Sequence, residues 1–363
     1  MPNEHLPVTE TKDPLDVIVV GGGQAGLATA YHLRERGLRF LVVDAGPSLG
    51  HSWRSRWDSL RLFTPAEHDG LPGMDFPAPA GTYPTKDEVA DYLATYAARF
   101  ELPVLLDCAV TRLEREADGF AVHTSQGLLR ARHVVVATGP FQTPAVPRVA
   151  AGLGPEVVQL HSSAYRNPAD LPSGEVVVVG AGNSGRQIAL ELAATHDVSL
   201  AVGTESLELP QRLLGRDLFW WLTRLGVITK TADSRLARRM RARGDLVIGT
   251  PLSRLRRSGV RIRPRLVSAS GSEVGFESGV ARPAAVVWAT GYRADHSWID
   301  VPGAVIDGAV VHERGISPVP GLAFVGLPWQ HTRGSALLGF VREDAAWIAD
   351  HVLSHHSPKE QLA

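Results

Sequence analysis

The sequence predicts an α/β protein built from two three-layer, Rossmann-like dinucleotide-binding domains, the second inserted into the first. The first observation behind this class is a duplicated motif. A hydrophobic strand runs into a G-x-G-x-x-G turn and then into a helix twice, as VIVVGGGQAGLATA and as VVVVGAGNSGRQIA. The second observation is a hydrophobic strand that ends in Ala-Thr-Gly, which closes each half as HVVVATGP and AVVWATGY.

The spacing within the two halves agrees. The interval from Gly21 to Thr138 is 117 residues, and that from Gly180 to Thr290 is 110 residues. The chain therefore carries an internal repeat of a whole domain. A further strand, GLAFVG, and a helix follow the second half and still need a place beside the N-terminal sheet. We expect one discontinuous domain of residues 1–149 and 288–363, and an inserted domain of residues 150–287.

Composition narrows the class of protein. The 363 residues are 44% hydrophobic and 21% charged with a net charge of -1, which is typical of a soluble globular protein and favours neither nucleic acid nor a membrane as partner. The single cysteine, Cys108, rules out an internal disulfide and a C-x-x-C redox pair. Its strand-like surroundings predict a buried structural thiol. The polar, acidic N-terminus lacks signal-peptide features, so we expect a cytoplasmic protein.

Charge is concentrated in one segment. Residues 235–265 hold eleven arginines and one acid, Asp245, without interleaved aromatic residues. This pattern favours a solvated face over a nucleic-acid site. The sequence shows no catalytic triad and no cluster of metal ligands, and a homodimer stays an open alternative.

The first half reads as one βαβ unit from residue 16 to Asp44, with Leu27 and Leu33 at helical spacing. An irregular, proline-rich stretch follows. The segment TKDEVADYLATYAARF then predicts a helix capped by Thr85 with Glu88 three residues on. Alternating strands fill residues 103–136.

The second half begins after a proline-rich connector over residues 141–174. A second βαβ unit covers residues 175–203, and residues 207–245 read as helical. Strands return over residues 260–287. The last helix is expected from about Ser335 to Leu353.

The first glycine turn has the residues that a dinucleotide needs. Gly21, Gly23 and Gly26 allow close approach of the backbone to a diphosphate, while Gln24 and Ala25 open the helix whose free N–H groups face it. Asp44 lies 18 residues after Gly26. An acid at the end of the second strand accepts hydrogen bonds from a ribose.

The second turn, with Gly180, Gly182 and Gly185 around Asn183 and Ser184, meets the same backbone requirements. Eighteen residues past Gly185 stand Gly203 and Thr204 instead of an acid, which permits a nucleotide with a 2′-phosphate. No arginine replaces the acid directly, and Arg212 and Arg216 qualify only if their loop folds back. We therefore expect relaxed use of NADH and NADPH. The small residues Thr138 and Gly139, and likewise Ala289, Thr290 and Gly291, let the chain pass close to each nucleotide.

These motifs together resemble the flavin-containing monooxygenases among the class B flavoprotein monooxygenases, and most closely their small bacterial members. The resemblance extends over nearly the whole chain through GGGQAG, SLGHSWRSRWDSLRLFTP, both Ala-Thr-Gly segments, HSSAY, GAGNSG and GLAFVG. It implies FAD at the first turn, NADPH at the second, and the inserted-domain layout. It also implies O2 and a small molecule as reactants.

The family signature F-x-G-x-x-x-H-x-x-x-Y/F is matched only at its end. His161 and Tyr165 fit, whereas Pro155 and Val157 stand where Phe and Gly belong. Baeyer–Villiger relatives carry Trp at the last position, so Tyr165 favours oxygenation of a heteroatom. His161 is read as an interdomain element, with a capping or linker histidine as the alternative.

The resemblance also implies which residues surround the flavin. Ser52 and Trp53 match a segment along the FAD. Phe63 stands where many members have an asparagine, and Thr64 beside it can supply a hydrogen bond. The last helix is expected to point its positive end at the flavin. The residues that this places at the isoalloxazine are Trp329, Gln330, His331, Thr332 and Ser335.

The function implied is an FAD-dependent monooxygenase that uses NAD(P)H and O2 to oxygenate a sulfide or amine through a flavin C4a-hydroperoxide. Phe63, Thr64 and His331 are the candidates for the catalytic flavin environment. Three alternatives remain: an NAD(P)H oxidase or diaphorase, a Baeyer–Villiger ketone oxygenase, and a flavin-bearing redox sensor that docks through its arginine-rich segment.

Overall fold

The computed structural model describes residues 14–204, 206–242 and 246–355. The strands in chain order are β1 (Leu15–Val20), β2 (Phe40–Val43), β3 (Val104–Leu105), β4 (Val110–Glu116), β5 (Gly119–Thr124), β6 (Gly127–Val136), β7 (Thr143–Pro144), β8 (Val158–His161), β9 (Glu175–Val179), β10 (Asp197–Ala201), β11 (Glu208–Leu209), β12 (Arg212–Leu213), β13 (Arg216–Asp217), β14 (Val247–Ile248), β15 (Arg261–Arg263), β16 (Leu266–Ser270), β17 (Glu273–Phe276), β18 (Val280–Ala281), β19 (Ala285–Trp288), β20 (Tyr292–Arg293), β21 (Ile299–Asp300), β22 (Val305–Ile306), β23 (Ala309–Val310) and β24 (Leu322–Phe324).

The α-helices are α1 (Gln24–Glu35), α2 (His51–Arg54), α3 (Lys86–Arg99), α4 (Asn183–Leu192), α5 (Leu218–Arg224), α6 (Arg235–Ala242), α7 (Leu252–Arg257) and α8 (Arg342–His355). Short 3-10 turns lie at Ala66–His68, Arg148–Gly152, Pro168–Asp170 and Arg333–Ala336. Within the described residues, no helix is both long enough and apolar enough to cross a membrane.

The first sheet has the order β21-β4-β5-β6-β1-β2-β3, with β24 also paired to β6. Its centre is parallel, because β1 runs parallel to both β2 and β6 and β24 runs parallel to β6. Successive residues of β1 bury opposite faces. Val17 and Val19 pack with residues of α1, α3 and α8, whereas Ile18 and Val20 pack with residues of β4 and β5. The parallel strands of this unit therefore lie between a layer of helices and the antiparallel strands β4 and β5, which gives the three layers that the sequence predicts.

The second sheet is entirely parallel and has the order β15-β10-β9-β19-β8. Alternation along β9 again separates two cores. Val176 and Val178 pack with α4 and α7, whereas Val177 and Val179 pack against the antiparallel strands β16 and β17. The strands β21 and β24, which follow this sheet in the chain, belong to the first sheet. The second unit is thus inserted into the first.

Two chain segments connect the units, and they lie side by side, since β7 pairs antiparallel with β20. Trp57 of the first unit is 4% exposed and packs within the core of the second, together with Tyr165 and Leu171. The units therefore share buried surface next to their links.

Several local predictions can be compared directly. Thr85 caps α3, and Glu88 completes the capping box. Cys108 is buried, as expected. The prediction of helix over residues 207–245 is wrong in its first part, which forms the short strands β11 to β13 before α5 and α6 begin. The last helix begins at Arg342, and Ser335 lies in the preceding 3-10 turn.

Candidate nucleotide-binding and flavin site

The two glycine turns have the same backbone geometry. Gly21 and Gly180 have φ angles of 110° and 107°, which side-chain-bearing residues rarely adopt. A Cβ at Gly21 would lie 2.6 Å from the carbonyl oxygen of Ala137, and one at Gly180 would lie 2.4 Å from that of Ala289. Each Ala-Thr-Gly segment therefore packs directly against the glycine turn of its own sheet.

The third glycine of each turn is the most restricted. A Cβ at Gly26 would lie 1.9 Å from the oxygen of Gly21, and one at Gly185 would lie 1.9 Å from the oxygen of Gly180. The middle glycines, Gly23 and Gly182, have no protein atom within 4 Å of a Cβ position, so space is left above the turn.

The helix ends beside that space can accept an anion. Gly23 caps α1 and Gly182 caps α4, and neither helix has a side-chain cap or an acid in its first turn. The first N–H groups of both helices therefore face a site without a competing side-chain acceptor. Backbone donors at a helix N-terminus, close approach through glycine and open space together fit a diphosphate.

Asp44 lies at the first turn. Its carboxylate accepts hydrogen bonds from the N–H of Gly22 at 2.6 Å and of Gly46 at 2.7 Å. Trp53 lies nearby, since its indole N–H donates to the Gln24 side chain at 3.4 Å. The acid, the indole and the start of α1 therefore meet at one end of the first sheet, where a ribose and its diphosphate fit together.

The second turn has a cation that the sequence reasoning missed. Gly203 and Thr204 follow β10, and Nη2 of Arg265 donates to the Gly203 carbonyl at 2.7 Å. Arg212 instead donates to Gly81 and Arg216 lies over Trp220, so neither folds back to Gly203. Only strand pairing brings Arg265 to this place, because β15 runs parallel to β10 and the two strands end at the same end of the sheet.

Asn183 and its neighbour Arg186 anchor the start of α4. The Asn183 side chain donates to the carbonyl of Leu246 and accepts from the N–H of Ile248. Arg186 is 1% exposed and pairs with Glu208. Both side chains therefore hold Glu208 and the segment from Leu246 to Ile248 onto the second turn, and the hydrogen bonds of the Asn183 side chain are directed at protein backbone.

The predicted threonines hold the links between the units. Oγ1 of Thr138 accepts a hydrogen bond from Gln142 at 2.9 Å, and the hydroxyl of Thr290 donates to the Ala145 carbonyl at 2.6 Å. The glycines after them, Gly139 and Gly291, have φ angles of 67° and 82°. The chain turns away from each sheet at these two points.

The signature residues His161 and Tyr165 flank the same links. The His161 ring lies 3.0 Å from the Gly291 carbonyl and 4.9 Å, edge to face, from the Tyr292 ring. Burial lowers the pKa of His161 below its ordinary value. Tyr165 is fully buried and donates to Glu191 at 2.8 Å. His161, the last residue of β8, therefore packs against the link that returns to the first unit.

The proposed flavin-side residues meet a segment from the second unit. The Phe63 ring stacks on Phe219 with centroids 6.0 Å apart, and the Phe63 carbonyl accepts from Gln211 at 2.8 Å. Thr64 is buried and donates to Asp69 at 2.6 Å. Phe63 also lines a narrow apolar cavity whose other lining residues are Phe219, Leu222, Val227, Ile228, Met240, Leu246, Ile248, Arg333 and Leu337.

The loop after β24 meets the same segment. The His331 carbonyl accepts from the N–H of Ala232 at 2.7 Å, and Thr332 forms a strand-like bridge with Thr231. We call residues 207–234 the bridging segment, because it touches both Phe63 and His331. No motif in the sequence predicts these contacts.

Ser335 and Gln330 have structural partners. The Ser335 hydroxyl accepts from the N–H groups of His331 and Thr332, which shapes the 3-10 turn. Gln330 is 5% exposed, and its side-chain oxygen accepts from the N–H of Leu327. Ser52 lies exposed in α2. In the part of the chain that the structure describes, no group of three or more His, Cys, Asp or Glu residues could hold a metal ion.

Two glycine turns of one geometry, each at the carboxyl ends of parallel strands, fit a protein that binds two dinucleotides. The profile of the pyridine nucleotide-disulphide oxidoreductase family matches residues 18–213, and the chain belongs to this family. It is an NAD(P)H-dependent flavin oxidoreductase of the monooxygenase type. With Cys108 as the chain's single cysteine, a dithiol cannot be its redox centre.

Three known proteins are similar to this chain over most of its length. An uncharacterized CzcO-like oxidoreductase of Geobacillus kaustophilus is 43% identical, over 94% of this chain and 99% of its own. The solved flavin-containing monooxygenase of Stenotrophomonas maltophilia is 29% identical, with a TM-score of 0.80, over 94% of this chain and 99% of its own. The rice indole-3-pyruvate monooxygenase YUCCA8 is 31% identical, over 79% of this chain and 78% of its own.

Proposed function

We propose that the protein is an FAD-dependent monooxygenase that uses NAD(P)H and O2 to oxygenate a small sulfide or amine. The observation that carries this proposal is the pair of equivalent glycine turns with different partners: a ribose-binding carboxylate, Asp44, at the first and a cation, Arg265, at the second. We assign FAD to residues 1–149 and 288–363, and the nicotinamide nucleotide to residues 150–287.

The bound flavin would supply hydride acceptance and, with O2, a C4a-hydroperoxide that donates one oxygen to a soft nucleophile. The chain's own task is to bind, orient and exclude water. The bridging segment serves this task, since it covers Phe63 through Phe219 and Gln211, and His331 through Ala232. An apolar enclosure of this kind suits a reaction that water would quench.

The oxidase alternative is favoured by two features. The Phe63 side chain offers no hydrogen bond at the position where related sequences carry an amide, and Pro155 and Val157 stand where the family signature has Phe and Gly. A Baeyer–Villiger activity is disfavoured by Tyr165, which stands where those relatives have Trp. Oxygen consumption and hydrogen peroxide formation are therefore measured with NADPH and a panel of aryl sulfides, tertiary amines and cyclic ketones. A yield of hydrogen peroxide that falls when a sulfide or amine is added supports the proposal. One hydrogen peroxide for each NADPH consumed, with every compound, contradicts it.

For the nucleotide we propose that both NADH and NADPH are used, with NADPH preferred because of Arg265. A charge-assisted hydrogen bond from its guanidinium to a 2′-phosphate contributes roughly 1.5–3 kcal/mol. Arg265→Ala is expected to raise the KM for NADPH about tenfold or more and to leave the KM for NADH nearly unchanged.

The matched control for this prediction is Arg212→Ala, because Arg212 contacts Gly81 rather than the end of β10. Steady-state kinetics with both nucleotides at fixed substrate decide the question. An unchanged NADPH to NADH ratio in Arg265→Ala, or a loss confined to Arg212→Ala, would show that another group reads the 2′ position.

A further inference from the structure

A carboxylic acid lies behind Thr64 with only part of its hydrogen-bonding capacity used. Asp69 is 0% exposed, and its Oδ1 accepts the Thr64 hydroxyl at 2.6 Å. Its second oxygen, Oδ2, is buried and has no hydrogen-bond partner among the described residues. A buried carboxylate oxygen without a partner is costly, so the site favours a bound proton.

The groups around Asp69 come from three parts of the fold. Glu67 lies in the same 3-10 turn, Tyr92 on α3 and Arg342 at the start of α8. Arg342 donates to the carbonyls of Gly70 and Gly339, and Tyr92 donates to that of Met74. None of these three hydrogen bonds ends on Asp69.

His68 lies beside Asp69 in the chain, and burial lowers its pKa. For Asp69 itself, burial raises the pKa to about 7, the neighbouring Glu67 carboxylate adds to the rise, and the Thr64 hydrogen bond opposes it. The carboxyl group therefore changes its charge close to neutral pH, which is unusual for an aspartate.

The charge of Asp69 determines what the Thr64 hydroxyl can do. An ionised carboxylate only accepts, so the single hydroxyl proton of Thr64 is directed at Asp69. A protonated carboxyl can donate to Thr64 Oγ1 instead, which releases the threonine proton toward another acceptor. Thr64 follows Phe63, whose ring lines the apolar cavity between the two units. The released donor would thus lie next in the chain to a residue that lines this cavity.

We propose that Asp69 is a positioning residue that sets whether the Thr64 hydroxyl donates inward, to Asp69, or to another acceptor beside Phe63. This inference rests on the proposed function, because it requires flavin to bind beside residues 62–64. It gives the chain next to Phe63 a hydrogen-bond donor that is present at low pH and withdrawn at high pH. Only a proton moves, from solvent to the Asp69 carboxyl group, and no electron transfer is involved.

The first test does not depend on flavin. The folded-state pKa of Asp69 lies above its unfolded value, so the folded protein holds this proton more tightly and loses that stabilisation as pH rises from about 4 to about 7. Asp69→Asn removes the titration. The urea midpoint of Asp69→Asn, measured relative to that of the parent, is therefore expected to rise over this range and to stay constant above it. Asp118→Asn, at an exposed turn, is the control and should show no such rise.

The second test uses the FAD-loaded protein and records the flavin absorption spectrum as a function of pH. The parent is expected to show a spectral shift with a midpoint near pH 7. Asp69→Asn and Thr64→Val should abolish the spectral shift. Thr64→Ser should show the shift of the parent, because serine retains the hydroxyl group.

The outcomes separate the two claims. A spectral shift that persists unchanged in FAD-loaded Asp69→Asn would overturn the role of Asp69. A relative urea midpoint of Asp69→Asn that stays constant would show that the buried carboxyl does not titrate in this range and would also overturn it. A parent that folds, with the expected rise in the relative midpoint of Asp69→Asn, but that binds no FAD would instead overturn the proposed function, and with it the role given to Thr64.

Discussion

Gly185→Ala is expected to leave FAD bound and to abolish reduction of that flavin by nicotinamide nucleotides. The physical reason is a contact that cannot be relieved by a side-chain movement. The added Cβ would lie 1.9 Å from the Gly180 carbonyl oxygen and 3.1 Å from the Ala289 side chain. The start of α4 must therefore shift away from its turn, which removes the backbone donors that a diphosphate needs. We expect kcat/KM for NADPH to fall by about 100-fold or more, about 2.7 kcal/mol.

The measurement is anaerobic reduction of the purified variant by NADPH, with its FAD content determined from absorbance. Gly182→Ala is the matched control for folding, because no protein atom lies within 4 Å of its Cβ position. This control should keep parental stability, so any loss of NADPH binding in it reports a nucleotide close to the turn. Gly185→Ala that is reduced at the parental rate would contradict the assignment of the donor to this site.

Gly26→Ala is expected to yield a folded but FAD-free protein, or one that accumulates poorly. The Cβ would meet the Gly21 carbonyl oxygen at 1.9 Å inside the core of the first unit. Overpacking of this kind costs roughly 1–3 kcal/mol, and loss of the bound cofactor removes its stabilisation as well. FAD content and the thermal unfolding midpoint are the measurements, with and without added FAD.

Gly23→Ala serves as the counterpart, since its Cβ position is open in the protein and its φ of -77° is ordinary. We expect it to fold normally and to bind FAD more weakly. If Gly26→Ala retained stoichiometric FAD and Gly185→Ala lost it, the two turns would have to exchange their assigned nucleotides.

The parts of the fold that the sequence predicts correctly are those set by local patterns. Both βαβ units follow from hydrophobic strands, glycine turns and amphipathic helices that each fit within about 30 residues. The capping box at Thr85 and Glu88 is likewise local. Residues 207–217 are different, because β11 pairs with the later β14, a partner fixed by tertiary contacts, while β12 and β13 form a short hairpin.

The residues of the candidate site likewise fall into those that a local motif predicts and those that only tertiary contacts identify. Gly26, Gly185 and Asp44 could be found because their spacing is tied to one motif. Arg265 could not, because it reaches Gly203 only through the pairing of β15 with β10, 62 residues apart in sequence. Asp69 carries no motif, and its importance follows from burial that only the folded chain shows.

The central claim is that the flavin, reduced from the second turn, passes oxygen to a substrate. It is tested most directly by isotopically labelled O2 with NADPH and an aryl sulfide, counting labelled sulfoxide against NADPH consumed. One labelled oxygen is expected in the sulfoxide for each NADPH consumed, with little hydrogen peroxide. NADPH consumption that ends entirely in hydrogen peroxide, with no labelled sulfoxide or other oxygenated product, would contradict it.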